Sequence, residues 1–124
     1  MFVINDYYKL NALHRFIFET KFLGSMDNPV GDGSGLIADI VNEIGDAIVA
    51  HLEGDGKLEE AKEYRDWYVL SKVAIGYSRI KERIQANKDM SNYDLDQKVQ
   101  CIKGWAAPYV IPDDIMNEFL EMCE

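Results

Sequence analysis

Apolar residues recur at helical spacing along most of the chain, and the longest such run covers residues 57–88. This run contains no proline, and its single glycine, Gly76, is internal. Acidic residues cluster at its beginning and basic residues at its end, a distribution that opposes the helix macrodipole at both termini. Its middle, from Trp67 to Tyr77, has almost no polar face, as in a helix covered on several sides. The pattern predicts one long central helix over residues 57–88.

Two amphipathic segments precede this run. Residues 6–23 carry an apolar stripe near the 3.6-residue period, and Asn5 or Asp6 can accept a hydrogen bond from the first turn. Residues 36–53 alternate between an apolar face and an anionic face. The short turn after residue 53 places this second helix next to the long one, roughly antiparallel to it.

Two more helices are predicted after the long run. Ser91 and Asp94 have the spacing of a capping box at the start of one. Pro112 stands at the start of the other, where proline is favoured. The sequence thus predicts an all-α fold, a compact bundle of about five helices around the long central one. Residues 1–124 are expected to form a single helical domain, as the length suggests.

Two segments interrupt the helical pattern. Residues 24–35 contain four glycines and a proline, and we interpret them as a mobile connector; whether this loop binds anything is left open. Residues 105–112 (WAAPYVIP) end in proline and are too short for more than a β-bridge, for which residues 2–4 are the predicted partner.

The chain is acidic, with a formal net charge of −9 over 124 residues. The charge is uneven, because residues 27–66 contain eleven acidic and three basic side chains. Phosphate contacts supply most nucleic-acid affinity, so this acidity argues against direct nucleic-acid binding and against an anionic membrane surface. It fits either a protein partner with a basic surface or simple solubility.

Few residues indicate chemistry. Cys101 and Cys123 lack a C-x-x-C spacing, and no secretion signal or membrane-spanning run is recognised, so we expect reduced thiols in a cytoplasmic protein. His14 and His51 are the only histidines and have no zinc-ligand spacing around them. We therefore predict no catalytic residue, no metal site and no cofactor.

One short stretch resembles a known family. Residues 42–52 (NEIGDAIVAHL) are similar to the metal-binding helix of the all-α nucleotide pyrophosphohydrolases, whose E-x-x-D pair holds magnesium. Glu43 and Asp46 match that pair, and the resemblance implies metal-dependent nucleotide hydrolysis. The family's preceding E-x-x-E pair is absent, because Phe22 stands where the partner of Glu19 would be. This enzyme is an alternative to the function given below.

The aromatic content is high, with seven tyrosines, two tryptophans and five phenylalanines. We expect five helices of this length to have too little interior for all these rings, and interfaces favour tyrosine and tryptophan. A homodimer is the default oligomer. The predicted oligomer interface consists of Tyr7, Tyr8, Tyr64, Trp67 and Tyr68. A second alternative is a helical oligomer that binds a small ligand between its chains.

The main hypothesis from the sequence is a non-enzymatic binding protein. It would act as an inhibitor that occupies a basic or nucleic-acid-binding surface of a partner protein. Phage-encoded inhibitors of bacterial defence and immunity proteins of toxins are similar in general character, being short, acidic and poor in motifs. Exposed carboxylates would steer the partner. The predicted partner-binding residues are Asp39, Glu43, Asp46, Glu59, Glu60 and Glu63.

Overall fold

The described part of the chain, residues 3–24 and 35–124 of a computed structural model, folds into α-helices. Within it, six α-helices follow one another: α1 (Tyr7–Phe22), α2 (Gly35–Gly54), α3 (Leu58–Trp67), α4 (Ile75–Ala86), α5 (Leu95–Ala106) and α6 (Asp113–Met122). The predicted all-α bundle is confirmed. Most of the predicted connector, and Phe2 of the predicted bridge, lie outside the described residues. None of the described helices has the length and apolar character needed to cross a membrane.

The single long helix predicted for residues 57–88 is wrong. The chain leaves the helical path at Tyr68, and α4 begins only at Ile75. The acidic residues at the start of the run lie in the first turn of α3, and Arg83 lies in the last turn of α4. Both charged ends therefore suit helix termini, but of two different helices, because the macrodipole argument applies to each end separately.

A parallel β-bridge explains the break. Val69 pairs with Val110 in the segment before α6. The Leu70 N–H donates to the Val110 carbonyl at 2.8 Å, and the Val110 N–H donates to the Tyr68 carbonyl at 2.7 Å. These backbone groups therefore form hydrogen bonds with a segment that is distant in sequence and not within a helix. The predicted bridge in the 105–112 segment thus exists, but its partner is Val69 and not residues 2–4.

The predicted cap of α1 is confirmed, whereas the cap of α5 lies at a different position from the predicted one. The Asp6 carboxylate accepts from the Lys9 N–H at 3.0 Å and caps α1, as predicted. The capping box before α5 is formed by Asp94 and Gln97, three residues later than predicted. A 3₁₀ turn over Met90–Asn92 occupies the place where the sequence predicted the helix start.

Buried apolar residues form two clusters that share α1. Leu10 and Ile17 of α1 pack with α2 and α3, whereas Phe18 and Phe22 pack with α4, α5 and α6. Leu70, in the bridge, is 1% exposed and belongs to the second cluster. The non-helical segment 68–74 therefore lets α3 and α4 cover different clusters. A straight helix over residues 57–88 could not do so.

Two cations hold the end of α1. Lys21 is 1% exposed, and its Nζ donates to the Gly104 carbonyl in the last turn of α5 at 2.8 Å. Burial lowers the pKa of Lys21 to about 8. The Arg79 guanidinium of α4 donates to the Lys21 carbonyl at 3.0 Å and also to the Gly24 carbonyl. Helix-terminal carbonyls need such donors, so these contacts tie α1 to α4 and α5.

Gly76 allows the bridge segment to approach α4, which generates a first prediction. A Cβ at this position would overlap the Tyr109 ring and lie 3.1 Å from the Phe22 ring. We expect Gly76→Ala to lower the free energy of unfolding by about 1–3 kcal/mol, since two buried rings must shift to make room for the methyl group. Urea unfolding followed by circular dichroism measures the change.

Gly104→Ala is the matched control for this prediction. Gly104 is also helical, and a Cβ there meets nothing within 4 Å. Removing the flexibility of glycine should leave stability unchanged or raise it by about 0.5–1 kcal/mol. Equal stability of Gly76→Ala and the wild type would contradict the proposed close approach.

Candidate functional site

The described structure contains an open groove of about 830 Å³. It lies between α2, α3 and residues 108–111, with one residue of α1 at its base. Its volume is within the usual range for ligand-binding pockets. The α2 residues that line it recur at helical spacing on one side of the helix: Asn42, Gly45, Asp46, Val49, Ala50 and Glu53.

Four aromatic side chains from three parts of the chain meet in this groove: His14, Tyr64, Tyr68 and Tyr109. The ring centroids of Tyr64 and Tyr68 are 5.1 Å apart, and those of Tyr68 and Tyr109 are 5.9 Å apart. Neighbouring ring planes are tilted by 55–74° in the contacts among these residues and His14. Tilted and edge-to-face pairs are favourable arrangements for aromatic rings, so the cluster stabilises itself.

His14 is the buried centre of the cluster. It is 3% exposed, and burial lowers its pKa to about 4. The imidazole is therefore neutral at neutral pH, with one nitrogen able to accept a hydrogen bond. The Tyr64 hydroxyl lies 3.2 Å from Nδ1 and 3.1 Å from Nε2, so it can pair with either tautomer.

The tyrosines of the groove remain neutral hydroxyls. Burial raises the pKa of Tyr64 above its ordinary range, with a further contribution from nearby Tyr68. Burial also raises the pKa of Tyr68 and of Tyr109. A second hollow of about 380 Å³ adjoins α1 and is lined by His14, Tyr64 and Tyr68 as well. These three side chains therefore separate two concave surfaces.

Charged residues line the outer part of the groove. The carboxylates are those of Asp46, Glu53 and Asp66, and the cations are those of Arg65 and Lys103. Arg65 forms an ion pair with Glu53 that joins α3 to α2. Asp46 and Asp66 form no ion pair with any described side chain. The lining is thus a neutral aromatic floor with a rim that carries an excess of negative charge.

The structure places all six predicted partner-binding carboxylates on exposed positions of α2 and α3. Asp46 is the member of this set that lines the groove. Asp39 and Glu43 lie on the same helix outside the lining, and Glu59, Glu60 and Glu63 lie on α3. Their role in binding a partner stays a prediction.

The five residues of the predicted oligomer interface have different environments. Tyr64 and Tyr68 are partly buried in the aromatic cluster of their own chain. Tyr7 is partly buried against Tyr8 and His51, with centroid distances of 5.5 and 6.3 Å. Tyr8 is 80% exposed and Trp67 is 69% exposed. Whether a second chain covers these residues stays a prediction, and Tyr8 and Trp67 are the two with most surface left to cover.

Sequence reasoning did not identify His14 and Tyr109 as site residues. His14 lies on the predicted first helix, and its distance from Tyr64 in sequence gave no sign that they meet. Tyr109 lies in the short bridge segment, which has no periodicity. The one available signal was the aromatic composition of both regions, which does not by itself specify contacts.

The Glu43–Asp46 pair is exposed on α2. Among the described residues, no three or more His, Cys, Asp or Glu side chains are grouped so that they could hold a metal ion. Cys101 and Cys123 are both free thiols. The described fold therefore adds no further metal ligand to the Glu43–Asp46 pair on which the resemblance to the pyrophosphohydrolase helix rests.

Comparison with protein-family models, curated proteins and solved structures gives no match to this chain. The chain is a small helical protein with a groove that has an aromatic lining and an excess of negative charge at its rim.

The burial of His14 generates a prediction about pH. Its folded pKa of about 4 is below the ordinary 6.5, so the unfolded chain binds a proton that the folded chain does not. The contribution of neutral His14 to the free energy of unfolding is complete above about pH 6.5. It falls by about 3 kcal/mol in total as the pH is lowered toward 4. Between about pH 6.5 and pH 4, we expect the free energy of unfolding of the wild type to fall by about 3 kcal/mol more than that of His14→Phe.

Urea unfolding of both proteins across this pH range provides the measurement. Carboxylates titrate in both proteins, so only the difference between the two curves reports on His14. Parallel curves would show that the imidazole is not buried in its neutral form.

Proposed function

We propose that this protein is a non-enzymatic binding protein whose α2–α3 surface binds a basic surface of a partner protein. By occupying that surface, which can be one that the partner uses for nucleic acid, it acts as an inhibitor. The acidic residues of the surface attract and orient the partner. The groove supplies short-range contacts once the two proteins have met.

The observation that carries this proposal is the position of the groove. The groove combines one residue predicted from charge, Asp46, with two predicted from aromatic content, Tyr64 and Tyr68. Interfaces concentrate their binding energy in aromatic anchors, and surrounding charges set partner choice and association rate. One surface of this protein offers both.

The distribution of charge supports a basic partner. From Gly35 to Trp67 the chain carries nine acidic and three basic side chains, all on exposed positions. One ion pair, Glu53–Arg65, neutralises part of this charge. The rest produces a negative field over α2 and α3 that accelerates encounter with cations and repels phosphate.

Charge reversal on α2 tests the proposal. In the variant Asp39→Lys/Glu43→Lys, we expect the association rate constant for a fluorescein-labelled octa-arginine peptide to fall about tenfold at low salt. The salt dependence of that rate should flatten, because screening then has less attraction to weaken. Stopped-flow fluorescence over a range of salt concentrations measures both quantities.

The control variant is Glu121→Lys/Glu124→Lys, which changes net charge equally at the exposed end of α6. Its rate should stay within about twofold of the wild type, since that end is not on the α2–α3 surface. Equal effects of the two variants would mean that net charge alone drives association, and the proposed surface would be wrong.

A further inference from the structure

We propose that the groove is an arginine-binding site, which seats one arginine side chain from an extended segment of the partner protein. The guanidinium lies against the partly exposed rings of Tyr64 and Tyr68 and is paired by the carboxylates of Asp46 and Asp66. This inference deepens the proposed function, on which it rests for the basic character of the partner.

The aromatic cluster supplies the first argument. Three tyrosine rings and a buried histidine line the same cavity, and Tyr64 and Tyr68 keep part of their surface exposed there. Aromatic rings attract cations through their quadrupole, more strongly where water is excluded. The planar guanidinium of arginine also stacks on ring faces, which the ammonium of lysine cannot do.

The charges of the rim supply the second argument. Arg65 and Glu53 satisfy one another, so the remaining charged groups of the lining are Asp46, Asp66 and Lys103. Two carboxylates without an ion pair among the described residues then face one cation. Carboxylates form strong, directional hydrogen bonds with guanidinium, so the excess negative charge selects a cationic guest.

The apolar part of the rim fits the rest of an arginine residue and its neighbours. Val69 and Val110 line the groove and are 46% and 66% exposed. They can cover the methylene groups of the arginine stem, which pack on apolar surface while the charged head binds elsewhere. The groove is larger than one side chain, so residues on either side of the arginine also enter it.

The backbone of Val110 is not available to a partner segment. Both the N–H and the C=O of Val110 are already bonded to the backbone at residues 68 and 70. A partner segment therefore cannot extend the bridge by adding a strand to Val110, the mode in which main-chain bonds supply affinity. A partner that contacts Val110 therefore does so chiefly through its side chains.

Equilibrium binding at high salt tests the site, because short-range contacts persist when the long-range attraction is screened. The probes are fluorescein-labelled octa-arginine, octa-lysine and octa-citrulline, measured by fluorescence anisotropy. Citrulline keeps the shape of arginine without its charge. We expect octa-arginine to bind about fivefold more tightly than octa-lysine, and octa-citrulline to bind least tightly.

Two loss-of-contact variants address the groove directly. Asp46→Asn keeps the side-chain shape and removes the charge, and Tyr68→Leu removes the ring while keeping an apolar side chain. Each should weaken octa-arginine binding about fivefold. The matched controls are Asp89→Asn, which changes an exposed carboxylate, and Tyr8→Leu, which removes an 80% exposed ring; neither residue lines the groove. Each control should stay within about twofold of the wild type.

A gain-of-affinity variant separates the site from a folding defect. Lys103 repels a cationic guest, so Lys103→Gln should tighten octa-arginine binding about twofold. Lys88→Gln removes the same charge at an exposed position outside the groove and should have no comparable effect. A misfolded variant cannot produce tighter binding that is confined to one of these positions.

The outcomes distinguish this inference from the proposed function. If arginine and lysine peptides bind equally, or if the groove variants bind octa-arginine as the wild type does, the arginine site is wrong. The proposed function survives that result if the Asp39→Lys/Glu43→Lys variant still slows association. Loss of both effects would overturn the two proposals together.

Discussion

The pairing of residues 68–70 with Val110 is the contact on which the rest of the structure depends. It takes the backbone groups of Tyr68 and Leu70 out of the helical pattern and satisfies them across the fold. The chain can therefore turn between α3 and α4, so that each helix covers a different buried cluster. The same pairing brings Tyr109 beside Tyr68, which completes the aromatic lining of the groove.

The groove and the core are built from the same contacts. His14 is buried and neutral because its burial costs less in that form, and its partner Tyr64 forms part of the groove wall. Gly76 lets the Tyr109 ring approach α4, and Tyr109 in turn packs beside Tyr68 in the groove lining. Contacts with the core thus fix the positions of the aromatic rings, and a partner would meet a surface that is already formed. Such preorganisation reduces the entropy cost of binding.

Parts of the fold could be predicted because they depend on neighbours in sequence. The boundaries of α1 and α2 follow from their apolar stripes, and the cap of α1 follows from Asp6. The break after Trp67 could not be predicted in the same way. No proline marks it, and its apolar residues fit a buried helix as well as a bridge. Only the presence of Val110 decides between the two.

The sequence by itself determined the helical class, the acidic α2–α3 surface and the supply of aromatic rings, since composition and periodicity are local properties. The tertiary structure decided which rings meet. His14, Tyr64 and Tyr109 are far apart in sequence, and their contacts arise from the packing of α1 and α3 and from the bridge. It also decided that Asp46 shares a groove with these rings whereas Asp39 does not. Long-range packing sets these contacts, and no local pattern encodes them.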